Sequence, residues 1–303
     1  MAQKFVIPHS RPTLDESDLL SVSKVIRSGR IVQGEVVEKF ENKVAKYIGV
    51  DGAVAMNTGT SALHLSLLAI GIKEGDYVAM PSFVCTALLN AVRYVGAHPT
   101  LVDIDPETYN IDIRDLKKRV KKSTKAIILP HLFGLPADID EIMSLGIPVI
   151  EDCAQAIGAV YKGRKAGSFG KLSCFSFYAT KVLSTGEGGM VVSDSKSLLK
   201  KIRDFRDYDN KKNYTVRYNY KMTDIQAAMG IAQLKKLHSL LLKRANIAKK
   251  YSSILQGFCN APSIRYKDRK HIFFRFPIQT QGSVSKALNF FFRKRSHLRT
   301  ACF

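Results

Sequence analysis

The 303-residue sequence has no CxxC pair and no His/Cys cluster. Its five cysteines, Cys85, Cys153, Cys174, Cys259 and Cys302, are scattered, which indicates neither a disulfide framework nor a zinc site and reads as reduced thiols. The opening MAQKFVIPHS lacks the apolar core of a secretory signal, and no uncharged run reaches the roughly 20 residues that span a bilayer. A cytoplasmic protein with no membrane partner is therefore expected. The absence of internal repeats and low-complexity tracts excludes a repeat architecture. Acidic side chains are few: 26 Asp and Glu stand against 47 Lys and Arg, a formal net charge of +21. That imbalance suits a solvated basic surface, a nucleic acid or an anionic small molecule. The basic residues are spread over 117–125, 196–212, 235–250 and the C-terminal tail, and no nucleic-acid motif accompanies them, so dedicated nucleic-acid binding is not expected.

What is present is the composition of an ordinary globular protein, 46% hydrophobic and 24% charged, long enough for one large domain and a smaller one. Apolar segments alternate in type along the chain. SALHLSLLAIGI (61–72) has the length and period of a buried helix, and YVAMPSF (77–83) reads as a short strand. PTLVDID (99–105), KAIILPHLFG (125–134), IPVIEDCA (147–154), KLSCFSFYA (171–179) and GGMVVSD (188–194) read as further strands, with helices expected over 113–120 and 138–146. Strands separated by helices imply an α/β fold with a mostly parallel sheet sandwiched by helices.

Ligands of such sheets bind beyond the C-terminal ends of the strands, and four segments there carry candidate chemistry. NTGTSALH (57–64) leads small hydroxyl residues into a helix whose open N–H groups suit a phosphate, although an ordinary N-cap by Thr58 or Thr60 explains it equally well. VIEDCAQAIGA (149–159) sets two carboxylates after a buried strand. Of these Asp152 is the candidate, because a buried carboxylate needs a partner and a protonated pyridine nitrogen is one; no ligand cluster supports a metal. SFYATKVLSTGEGG (176–189) places a lone lysine, Lys181, after an apolar strand in a loop of small residues. Held in a partly desolvated site beside a carbonyl compound, its amine can form an imine and later carry a proton. YNYKMTDIQAAMG (218–230) by itself promises only a tightly packed helix.

Together and in this order, the four segments resemble the nucleotide-sugar aminotransferase family, the DegT/StrS group of pyridoxal 5′-phosphate (PLP) enzymes of fold type I. The likeness extends over roughly residues 5 to 255 and includes SGRIVQGEVVEKFE (28–41), GDYVAMPSF, VGAHPTLVDID, HLFGLPADID and the GSFG before the lysine strand. The resemblance implies that Lys181 is the Schiff-base lysine and proton carrier, and that Asp152 pairs with the pyridine nitrogen. It further implies that Gln155, one helical turn on, bonds the ring hydroxyl, and that Thr60, Ser61 and Ser176 hold the phosphate. Asn219 would reach the phosphate of a neighbouring subunit, making a homodimer part of the site. The implied reaction moves an amino group from an amino-acid donor, glutamate in this family, to a nucleotide-linked keto-sugar, in cell-surface polysaccharide or secondary-metabolite sugar synthesis.

One position departs from the pattern. Where the family sets an aromatic ring over the cofactor stands Cys85, a smaller cover, with Phe83 expected on the same face to compensate. After residue 255 the likeness fades. HIFFRFPIQ (271–279) still resembles the first strand of the small domain and KALNFFFRKR (286–295) its next helix. The expected organisation is a large PLP-binding domain over 1–240 and a small, incomplete domain over 241–303, with truncation or a frameshift near RTACF and the Phe290–Phe292 run left as exposed apolar surface. The alternative function is therefore a PLP-binding but catalytically impaired paralogue. A sugar dehydratase of the same fold is disfavoured, since those enzymes carry histidine where Lys181 stands.

Overall fold

A computed structural model describes residues 10–256, 260–279 and 283. In chain order the elements are α1 (Glu16–Ser28), α2 (Glu35–Ile48), β1 (Gly52–Met56), α3 (Gly59–Ala69), β2 (Tyr77–Pro81), α4 (Thr86–Tyr94), β3 (His98–Val102) and α5 (Ile113–Arg119). There follow β4 (Thr124–Pro130), a 3-10 turn at Leu132–Gly134, α6 (Ile139–Met143), β5 (Val149–Asp152), β6 (Val160–Tyr161), β7 (Arg164–Lys165), β8 (Leu172–Ser176) and β9 (Gly189–Ser193). Helices α7 (Lys196–Arg206) and α8 (Asp224–Leu255) and the short β10 (Arg269–Lys270) complete the set.

Seven strands form one sheet in the order β1-β9-β8-β5-β4-β2-β3, in which β9 runs antiparallel to both its neighbours and the remaining pairs are parallel. The strand sequences explain why the sheet is covered on both faces. In β1, Ala53 and Ala55 pack with Phe40, Val44, Phe177 and Leu237 on the side of α2 and α8, while Val54 and Met56 pack with Leu65 and Ile202 on the side of α3 and α7. This is the two-residue alternation of a strand, with apolar side chains at both phases. Caps fix the helix starts: Asp15 caps α1 and Thr223 caps α8, each in a reciprocal capping box.

The mostly parallel sheet between helices is the fold type the sequence implied. Two local expectations are corrected. No strand forms over 271–279; β10 ends at Lys270, and Phe273 follows in left-handed backbone at φ 51. Instead Ile272 N–H donates to the Gly134 carbonyl (3.0 Å) and Phe274 N–H to that of Phe133 (2.8 Å), so the segment docks on the large sheet's edge turn rather than starting a new sheet. A Cβ at Gly134 would lie 2.5 Å from Ile272 Cγ1 and 3.0 Å from the Gln155 carbonyl, which is why glycine stands there. Residues 154–158 form turns, so Gln155 follows Asp152 in a turn and not on a helix. Helix α8 runs unbroken across position 240, where a domain boundary was expected. The helix expected over 286–295, the Phe290–Phe292 run, Cys259 and Cys302 lie outside the described residues.

Candidate active site

Strands β1, β2, β4, β5 and β8 all point their C-terminal ends at one cavity of about 360 Å³. Thr60, Cys85, Asp152, Gln155, Ser176 and Lys181 line it. Ser61 and Asn219 do not.

At the end of β1, Thr58 takes extended backbone and its hydroxyl accepts from Ser61 N–H (3.1 Å), the geometry of a helix cap. The Ser61 hydroxyl donates to Asn57 Oδ1 (2.7 Å). Both polar groups of Ser61 are thereby used within the cap, and the open N–H groups at the start of α3 are those of Gly59 and Thr60. Ser176, last residue of β8, stands beside them. A Cβ at Gly59 would lie 2.8 Å from Ser176 Cβ, so only glycine lets the helix start and this hydroxyl share one cradle.

Lys181 follows β8 through a turn closed by its own N–H on the Tyr178 carbonyl (2.8 Å). Its Nζ lies 5.2 Å from the Phe274 ring centroid and has no hydrogen bond or ion pair among the described residues. Burial lowers its pKa, and the positive charge of Arg275 adds to that; Asp152 and Cys85 pull the other way without winning. The result is an amine nearer its neutral, nucleophilic form than a surface lysine. Asp152 is buried at the end of β5. Its Oδ1 accepts from Ala154 N–H (3.0 Å), and Oδ2 has no hydrogen bond among the described residues. Burial raises its pKa against the opposing pull of that N–H, Lys181 and His131, and its charge has no ion pair among the described residues. Gln155 Oε1 accepts from Phe133 N–H (2.9 Å), which fixes the amide and leaves the NH₂ group free to donate.

The neighbouring acid has a different task. Glu151 is fully buried and accepts from His131 Nε2 (2.9 Å), Gly167 N–H (2.8 Å), Phe169 N–H (2.8 Å), Gly170 N–H (2.6 Å) and Ser173 Oγ (3.0 Å). Ala137 N–H donates to His131 Nδ1 (3.2 Å), so Nε2 carries the hydrogen and is the donor to Glu151. Burial would raise the Glu151 pKa, but the hydrogen bond from His131 and those from the backbone N–H groups of Gly170 and Gly167 hold it below the ordinary value. Adjacent positions on a strand face opposite ways, so β5 sends Glu151 into this clamp and Asp152 into the cavity. The oxygens of Glu151 and nitrogens of His131 are thus occupied, although they and Cys153 place possible ligand atoms within 4.8 Å of one another. Nothing in the local sequence around Glu151 announces the clamp; its donors come from three other places, His131, the turn at 167–170 and Ser173 on β8.

Cys85 lies at the start of α4, exposed to the cavity. Phe83 does not lie over the cavity beside it. The chain turns into α4 instead of continuing extended, and the Phe83 ring packs 6.1 Å from Tyr109 and 6.5 Å from Phe133. Asn219 is exposed, carried outward between Tyr218 and Tyr220, whose N–H groups are pinned to the carbonyls of Phe205 and Arg206 (2.8 and 3.0 Å).

An amine, a buried acid without a partner for its outer oxygen, an amide and a helix start with a hydroxyl beside it now stand around one cavity. The family model of the DegT/DnrJ/EryC1/StrS aminotransferases matches residues 12–301. The chain belongs to this family. It is 38% identical over 277 residues to the GDP-perosamine synthase of Escherichia coli O157:H7, covering 88% of this chain and 75% of the relative. To the spore coat polysaccharide biosynthesis protein SpsC of Bacillus subtilis it is 37% identical over 269 residues, 82% of this chain and 69% of the relative. Among solved structures, Spr1654 of Streptococcus pneumoniae superposes in its PLP form with a TM-score of 0.89 at 26% identity, covering 96% of this chain and 82% of that one, and has also been solved in a PMP form. The chain is thus a PLP-dependent sugar aminotransferase. The donor set fits that cofactor, with open helix N–H groups and a hydroxyl for a phosphate and, for a ring nitrogen, a buried acid whose outer oxygen has no hydrogen bond among the described residues.

Proposed function

We propose that this enzyme transfers an amino group from glutamate to a nucleotide-linked keto-sugar, as a homodimer in the cytoplasm. The observation that carries the proposal is Lys181 Nζ, lowered in pKa and without an ion pair among the described residues, in the same cavity as Asp152 and the start of α3. The names of the curated relatives support a nucleotide-linked sugar and a polysaccharide product.

In this reading Lys181 Nζ would hold the cofactor and would serve as the group that takes up and returns the proton moved in the reaction. The bound PLP supplies an electron-accepting ring that stabilises the electrons left by C–H cleavage. Asp152 holds the proton on the ring nitrogen; its raised pKa reflects a charge awaiting a cation, which that nitrogen provides. The Gln155 NH₂ group orients the ring hydroxyl. Gly59 and Thr60 N–H groups and the Ser176 hydroxyl take the phosphate, with Ser61 contributing by fixing the cap. Cys85 covers the ring with its thiol. Asn219, exposed on its pinned segment, reaches the phosphate bound by a second copy. The cofactor domain occupies 1–240 and the small domain 241–303, with α8 shared between them.

Absorbance of the purified protein with added PLP, before and after glutamate, tests the proposal alongside Lys181→Ala. A cofactor band that needs Lys181 and is discharged by glutamate supports it. A band that no amino donor discharges supports the second reading, a cofactor-holding but impaired paralogue. No band at all contradicts both.

A further inference from the structure

Around the Phe274 ring that Lys181 approaches stand two guanidiniums with no ion pair to an acid among the described residues. Arg275 lies in the docked segment after β10, and Arg244 lies on α8. The Phe274 ring is common to both: Arg275 Cζ lies 4.9 Å from its centroid and Arg244 Cζ 6.0 Å, on a ring that Lys181 Nζ approaches to 5.2 Å. The Arg275 side chain makes no hydrogen bond or ion pair among the described residues, and Arg244 makes only two long contacts, 3.4 and 3.3 Å, to the carbonyls of Phe273 and Phe274. Elsewhere this chain pairs its half-buried arginines with acids: Arg206 with Glu41, Arg217 with Asp204, and Arg269 with Asp138 and Asp268.

The backbone that presents Arg275 is strained. Phe273 sits at φ 51 and Phe133, to which it docks, at φ 55, conformations that bulky L residues rarely adopt. Such strain persists where the surroundings over-determine it, as they do at ligand sites. Burial pulls both guanidiniums below their usual pKa, and the positive charge of Arg275 adds to the shift at Arg244. Two like charges held together and partly desolvated are costly until an anion joins them, and a planar guanidinium takes a phosphate or carboxylate through two parallel bonds.

We propose that Arg275, together with Arg244, forms a substrate oxyanion subsite beside Lys181, distinct from the phosphate cradle at the start of α3. It rests on the aminotransferase reading only for the identity of the anion, either a diphosphate oxygen of the nucleotide sugar or the side-chain carboxylate of the amino donor. The Phe274 ring is common to this subsite and to Lys181, so an anion held there sits close to the reacting amine.

The test combines titration calorimetry of the PLP-loaded enzyme with inorganic pyrophosphate and stopped-flow absorbance of its reaction with glutamate. Both are run on the parent chain, Arg275→Gln, Arg275→Lys and Arg244→Gln. Arg275 is only half-buried and holds no side-chain bond, so Arg275→Gln should keep its PLP content. A tenfold or greater loss of pyrophosphate affinity in Arg275→Gln, with glutamate kinetics unchanged, identifies the diphosphate. A tenfold rise in the glutamate concentration needed for half-maximal rate, with the maximal rate unchanged, identifies the donor carboxylate. Arg275→Lys keeps the charge but loses the fork and should fall between. If neither ligand responds to Arg275→Gln, the subsite is refuted. A parent chain that takes up no PLP yet binds pyrophosphate through Arg275 leaves the subsite standing and overturns the aminotransferase reading alone.

Discussion

Glu151→Gln changes a single atom, yet the clamp around β5 predicts a large effect. Glutamine keeps one acceptor oxygen, enough for the three donors that Oε1 now serves, Phe169 N–H, Gly170 N–H and Ser173 Oγ. Its NH₂ group must then face His131 Nε2 and Gly167 N–H, two donors that lose their acceptor. Turning His131 to its other tautomer moves the conflict to Ala137 N–H, which donates to Nδ1. Flipping the amide strands three donors in place of two. Each buried donor left unsatisfied costs about 1–3 kcal/mol, so the variant should lose about 2–5 kcal/mol, within the range for breaking a buried charged network. Because β5 also carries Asp152, PLP affinity should fall with stability. Urea unfolding followed by circular dichroism, with PLP binding in parallel, measures both. A loss below about 1 kcal/mol would mean that the Glu151 charge is not what holds His131 and the 167–170 turn, and would refute the reasoning.

Gly59→Ala gains about 0.5–1 kcal/mol of helix propensity but forces a Cβ to within 2.8 Å of Ser176 Cβ; overpacking of about 1–3 kcal/mol should win, weakening PLP binding about tenfold in an equilibrium titration. The lowered Lys181 pKa predicts that the rate of PLP uptake rises with pH and levels off below the ordinary lysine value of about 10.4; Arg275→Gln removes a neighbouring positive charge and should move that inflection upward. His64, buried among Tyr94, Tyr218 and Tyr220 with an unpartnered Nε2, has its pKa lowered by burial from 6.5 to about 4. The unfolded chain therefore binds its proton first, so unfolding free energy should fall as pH drops from 6.5 towards 4, and His64→Phe should flatten that slope in urea titrations at a series of pH values.

How far the sequence carried depended on whether a residue's partners lay near it in the chain. Lys181 and Asp152 were legible because each is a polar residue ending an apolar strand, and the α/β rule sends such residues to one edge of the sheet. Glu151 stood next to Asp152 and was passed over, since what distinguishes it is His131 and the turn at 167–170, brought in by the fold. Residues 271–279 carry the apolar pattern of a strand, but the docking bonds to Phe133 and Gly134 and the left-handed Phe273 were invisible in that pattern. Phe83 differs for a related reason: an extended chain would set it on the face of Cys85, but α4 begins directly after Cys85. Ser61 enters as a phosphate ligand only through the family resemblance, while the cap geometry that consumes its polar groups depends on Asn57 and Thr58.

The central claim, that Lys181 is the residue that holds the cofactor, is tested most directly by incubating the protein with PLP, reducing with borohydride and locating the modified peptide by mass spectrometry. The account predicts a single stoichiometric adduct on Lys181, abolished in Lys181→Ala. Adducts scattered over the exposed lysines of 117–125 or 196–212, or one that survives the loss of Lys181, would contradict it.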